Sequence, residues 1–156
     1  AGNDGGSVWR IVTSPADAEN ILAIGNINEQ GQRSNSSSTG PTADGRIKPD
    51  LVAPGTNVAV INANGSNGVS SGTSFSAPLV AGLAAGVWQR YPELTNMQLM
   101  QVLKETATRA QAPDNFYGYG IPNYILIRNY FQSSNIVSVY QHKEDNFIQI
   151  LFGGGR

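Results

Sequence analysis

Ser71-Gly72-Thr73-Ser74-Phe75-Ser76-Ala77-Pro78 sets a hydroxyl-rich turn against the apolar run Leu79 to Trp88, and this junction decides the fold. The run is apolar all round, with Ala and Gly interspersed, so it predicts a fully buried helix that neighbours approach closely. Pro78 suits a first helical turn, where a missing N–H costs nothing. A serine just ahead of such a helix sits among unpaired backbone N–H groups at the positive end of the helix dipole. Negative charge on an oxygen held beside Ser74 is therefore stabilised. Local sequence alone favours a plainer role, in which Ser74 or Ser76 caps the helix.

Outward from this junction, Ile21 to Gly25 and Val58 to Ile61 are short apolar runs bounded by Gly, Pro and Asn. They suit strands buried on both faces of a parallel sheet. Between them, Gln30 to Arg46 is rich in Ser, Gly, Thr and Asn and reads as a long surface loop. Thr95-Asn96-Met97-Gln98 fits a capping box, and Leu99, Val102, Leu103 and Thr106 follow at helical spacing, so an amphipathic helix is expected to end near Ala107. Ile121 to Phe131 predicts a third, short helix. Ile136 to Tyr140 and Phe147 to Phe152 predict a hairpin.

The composition excludes several classes of function. A net charge of −1 with 13% charged residues provides no basic field for nucleic acid. Without cysteine there is no disulfide, thiolate metal site or cysteine nucleophile. The longest strongly apolar run falls well short of the roughly 20 residues that span a bilayer.

Three separated segments change the reading of Ser74. Ala1-Gly2-Asn3-Asp4-Gly5 comes first. Gly40-Pro41-Thr42 runs on to Ile47-Lys48-Pro49-Asp50-Leu51-Val52-Ala53-Pro54-Gly55, and Gly72-Thr73-Ser74 with Ala77-Pro78 closes the set. In order and spacing they resemble the signatures of the subtilisin-like serine proteases, the subtilases. Weaker echoes at Ser14-Pro15 to Gly25 and Pro113 to Gly120 extend the resemblance to about Tyr130. It implies an α/β fold, part of a subtilisin-like three-layer arrangement with a parallel sheet and a buried central helix starting at the nucleophile. Residues 1–131 would be the carboxy-terminal part of the catalytic domain, and 132–156 a hairpin-like extension.

By that resemblance Ser74 is the nucleophile and Asn3 donates its side-chain amide to the oxyanion. Ala1, Gly2, Asp4, Thr13 and Thr73 fall to the substrate pocket, where Asp4 would bias selection toward basic side chains. Protein or peptide substrates and a secreted or cell-envelope location are further implications. The chemistry requires no cofactor. Asp50 falls where subtilases hold a cation with help from carbonyls around Ala16 to Ile21, but one carboxylate is a poor donor set. An aspartate satisfied by loop N–H groups is the other reading, and no metal is assigned. Pro15 aligns with a position that is often cis in the family. Phe75 stands where many relatives have Met.

A serine nucleophile needs a base, and the base an orienting carboxylate. No histidine precedes Ser74, since the single one is His142 in a polar turn. Asp17, Asp44 and Asp50 lie outside the family's aspartate motif. The expectation is that an upstream segment, the amino-terminal half of the same domain, supplies both groups and that this chain alone is inactive. The alternative is a non-catalytic, subtilase-like binding or scaffold module. A Gly-x-Ser-x-Gly elbow is absent, which disfavours an esterase.

Overall fold

Strand β1 (Ile24–Ile27) lies parallel to β2 (Leu51–Pro54), with Ile24 opposite Leu51 and Ile27 opposite Pro54. This pair is the centre of the computed structural model, which describes residues 1–133. All four residues of β1 are buried, as are Leu51 to Ala53 of β2. Burial on both faces is what a parallel pair covered by other elements requires, and Asn26 is the one polar residue within it. The other edge of β2 is also occupied, because Tyr119 N–H donates to the Asp50 carbonyl at 2.8 Å and Val52 N–H to the Gly120 carbonyl at 3.0 Å.

The first strand starts three residues later than its apolar run suggests. Ala23 N–H donates to the Asp50 carboxylate at 2.8 Å, while Asp50 N–H returns a bond to the Ala23 carbonyl. A side chain thus replaces the ladder there. The run Val58–Ile61 is indeed a strand, β3, but not a buried parallel one. It forms an antiparallel hairpin with β4 (Asn67–Ser70), and its residues alternate between partly buried and exposed. Only one of its faces is covered, so the apolar run does not signal double burial.

Helix α1 (Thr73–Arg90) packs on both β1 and β2 and touches α2 (Asn96–Glu105). It begins ahead of Pro78, which falls inside the helix and removes the N–H that would bond the Ser74 carbonyl. The expected full burial of this helix is not found. Thr73, Ser76, Val80 and Val87 are buried, whereas Leu79 is 55% and Trp88 43% exposed. The described elements cover one face of an all-apolar helix and leave the other in solvent.

The capping box of α2 forms as expected. Gln98 N–H donates to Thr95 Oγ1 at 3.3 Å, and Thr95 N–H to Gln98 Oε1 at 2.9 Å. Helix α3 (Tyr124–Ser133) starts later than Ile121, because Asn123 Oδ1 accepts from the Ile125 and Leu126 N–H groups and so sets the first turn. One apolar cluster among the described residues joins these parts, including Ile24, Leu51, Ala53, Val80, Val87, Leu99, Leu103, Ile127 and Phe131. Leu51, Leu103 and Ile127 are fully buried, each contributing about 2 kcal/mol in transfer terms. Phe131 stacks on Tyr91 at 4.0 Å between ring centres. Of the expected extension over 132–156, residues 132 and 133 close α3, while the expected hairpin of Ile136 to Phe152 and His142 lie outside the described residues. Among those described, no helix is long and apolar enough to cross a membrane.

Candidate active site

The start of α1 is held by a side chain from the far end of the chain. Gly72 occupies the N-cap position without any side-chain cap bond, so neither Ser74 nor Ser76 caps the helix. Instead Asn3 Oδ1 accepts from Thr73 N–H at 3.0 Å and from Thr73 Oγ1–H at 3.2 Å, across 70 residues. A backbone N–H can only donate, so the atom facing it must be the amide oxygen. Nδ2 is the amide's remaining donor, 3.4 Å from where a Cβ on Gly72 would lie. Ser74, the residue after Thr73, is exposed on the first turn of α1, and Asn3 is exposed too. At this helix start the Thr73 N–H is taken by Asn3 and the Phe75 N–H by the Gly72 carbonyl at 3.0 Å, with the exposed Ser74 between them in the chain.

Packing at this corner demands glycine. A Cβ on Gly55 would lie 2.3 Å from Ser76 Oγ, 2.6 Å from the Gly72 carbonyl and 2.9 Å from Asn26 Oδ1, so β2 runs directly beneath the serine turn. Gly72 N–H donates to the Gly55 carbonyl at 2.8 Å and closes this contact.

A second organiser comes from the loop that the sequence places on the surface. Ser37 and Ser38 are buried, at 0% and 1% exposure. Ser38 N–H donates to the Gly2 carbonyl at 3.0 Å, and Asp4 N–H to Ser38 Oγ at 3.0 Å. Ser37 Oγ accepts from Asn26 N–H at 3.0 Å, which moors the loop to β1. On the other side Val12 N–H donates to the Thr39 carbonyl at 2.8 Å. Arg33 Nη1 donates to the Ser37 carbonyl at 2.7 Å and the Ser34 carbonyl at 2.9 Å. Sequence reasoning missed these serines. The available signal was Gly5, where a Cβ would meet the Ser37 carbonyl at 2.2 Å and which therefore marks a close backbone approach.

The segment that carries Asn3 is tied to Thr73 through Asn3 itself and to the buried Ser38 through Gly2 and Asp4. Ala1 N donates to the Ile24 carbonyl at 2.9 Å and lays the segment along β1. Thr13 follows Val12 past the buried loop and is half-buried, its carbonyl accepting from Ala16 N–H at 2.7 Å. The Asp4 side chain is exposed and makes no ion pair among the described residues. The peptide before Pro15 is cis, as are those before Pro41 and Pro49.

Asp50 is not an open carboxylate. Its Oδ2 takes the Ala23 N–H and also pairs with Lys48 Nζ at 2.7 Å. The expectation of loop N–H satisfaction holds for one bond, and a lysine supplies the rest. No group of three or more His, Cys, Asp or Glu residues among those described could hold a metal ion.

The chain has relatives among known proteins. A family model described as the subtilase family, Peptidase_S8, matches residues 1–120. The chain is 36% identical over 110 residues to a thermostable alkaline protease of Halalkalibacterium halodurans, covering 70% of this chain and 28% of that protein. It is 35% identical over 124 residues to subtilisin E of Bacillus subtilis, covering 79% of this chain and 31% of the relative. Among solved structures, the CspB protease of Clostridium perfringens superposes with a TM-score of 0.68 at 27% identity, over 78% of this chain and 29% of that one. The chain spans less than a third of the length of each of these proteins.

Proposed function

The chain belongs to the subtilase family of serine proteases, and from that premise we propose that Ser74 and Asn3 are the nucleophile and oxyanion donor of a peptide-bond hydrolase. Its base and orienting acid come from a segment outside this chain, the amino-terminal half of the same domain. In this reading Ser74 Oγ attacks the scissile carbonyl as a histidine of that segment takes its proton. The tetrahedral oxygen then receives hydrogen bonds from Asn3 Nδ2 and the Ser74 N–H. Collapse to the acyl-enzyme expels the amine, protonated by the same histidine, and water completes the cycle.

The observation that carries this proposal is the clamp of Thr73 on Asn3. Two bonds to Oδ1 fix the amide, so Nδ2 meets developing charge without reorganising, and such preorganisation is where an oxyanion hole gains its effect. Ala1, Gly2, Asp4, Thr13 and Thr73 are assigned to the pocket for the residue ahead of the cleaved bond. The supplying segment would cover the bare face of α1 and complete a three-layer fold. The chemistry calls for no cofactor. Peptide or protein substrates, met outside the cell or in its envelope, belong to the same reading.

Because no histidine precedes Ser74, a second reading is a binding scaffold of the same shape. One experiment separates the two. A serine-directed phosphonate is applied to the intact protein, to its Ser74→Ala variant and to this chain alone. We expect an adduct on Ser74 of the intact protein and none on the other two. An intact protein that stays unlabelled would leave the scaffold reading standing.

A further inference from the structure

Lys48 is only 3% exposed, although its side chain ends in an ammonium group. That group donates to Asp50 Oδ2 at 2.7 Å and to the Ile21 carbonyl at 3.2 Å. Asp50 is itself buried, at 7% exposure, and the same Oδ2 accepts the Ala23 N–H. A buried ion is costly unless it is paired and hydrogen-bonded, and here the partners come from two different segments. The pair joins the Ile21–Ala23 turn to the residue ahead of β2.

A carboxylate and a backbone carbonyl converging on one point form the kind of oxygen set that takes a cation, and the family resemblance sets a cation against Asp50. The residues present do not fit a metal ion. Lys48 Nζ stands between Asp50 and the Ile21 carbonyl, where the ion would sit, and two oxygens fall far short of the roughly 6–8 that calcium requires. A cleft of about 420 Å³ at this site is lined by Arg46, Lys48 and Lys104 together with Glu19 and Asp50. A metal ion entering through that cleft would pass guanidinium and ammonium charges.

We infer that the Lys48 ammonium is the resident cation of this site, covalently supplied, and that the site binds neither calcium nor a monovalent ion. A dissociable metal stabilises a fold by an amount that rises with its free concentration. An ammonium tethered to the chain does so at any ionic composition. The clamp between the Ile21–Ala23 turn and β2 is therefore independent of chelators.

The test uses the intact protein and compares variants in identical buffers, so that cation sites elsewhere cancel. Lys48→Met removes the ammonium and keeps a stem of similar bulk. Lys48→Met/Asp50→Asn also removes the opposing charge while retaining an acceptor for the Ala23 N–H. In choline chloride with a chelator, Lys48→Met is expected to unfold about 10 °C below the parent, the size expected for a broken buried pair. Millimolar calcium or molar potassium should restore part of that loss in Lys48→Met alone, and the double variant should gain no more than the parent. Parent crystals soaked in rubidium should show no anomalous peak beside Asp50.

A peak at that place in the parent would overturn the inference. So would a Lys48→Met variant that melts with the parent, or one whose loss no cation reverses, since Lys48 would then be an ordinary ion pair. None of these readouts depends on proteolysis, so their failure and that of the Ser74 assignment are separable.

Discussion

Ser76 lies two residues beyond Ser74 and is wholly buried, yet its hydroxyl meets no partner among the described residues. Asn26 Nδ2 is in the same condition, and both side chains reach the space that a Gly55 side chain would fill. A buried polar atom without a partner costs about 1–3 kcal/mol, whereas an apolar group of the same shape carries no such penalty. Ser76→Ala should therefore stabilise the intact protein by about 1 kcal/mol, read as a higher urea midpoint at unchanged slope. Destabilisation would refute the orphaned state of this hydroxyl. Asn26 differs, because its Oδ1 accepts from Thr56 Oγ1–H at 3.1 Å and its loss would uncouple that turn from β1.

The elements differ in how far local sequence determines them. Helix α2 carries its own start signal, and its core residues Leu99, Val102 and Leu103 follow at helical spacing, so both start and burial were legible. Thr95→Ala deletes the acceptor of the Gln98 N–H and should cost about 1 kcal/mol in denaturant unfolding, since capping threonines are typically worth that much. No loss would mean that Gln98 alone carries the cap. The start of α1 was not legible, because nothing local caps it: Asn3 anchors it from 70 residues away. The pairing of β1 with β2 is equally non-local, and Leu51 to Pro54 could be seen as a motif but not as a strand. Val58–Ile61 misled for a related reason, since an apolar run does not tell which of its faces is covered. The candidate site was readable as residue types at Asn3, Thr73 and Ser74. Its supports were not, because Ser37 and Ser38 are polar and become buried only through their bonds to Gly2, Asp4 and Asn26.

At the largest scale, the decisive feature is a side of α1 that no element among the described residues covers. Ala77, Pro78, Leu79, Ala81, Gly82, Ala85 and Gly86 are all exposed, and a Cβ added at Gly82 or Gly86 would meet nothing within 4 Å. Small residues in that pattern admit close approach of another backbone, and leaving them wet wastes apolar burial. The β3–β4 hairpin adds Ile61 at 71% and Val69 at 68% exposure. If the proposed amino-terminal half covers α1, the chain produced alone should self-associate, with a light-scattering mass above 16.5 kDa that rises with concentration and a broad thermal transition. The same residues within the intact protein should melt in one sharp step. A monomeric isolated chain with an equally sharp transition would mean that α1 tolerates a solvated apolar face, and the case for a covering segment would then rest on the missing histidine alone.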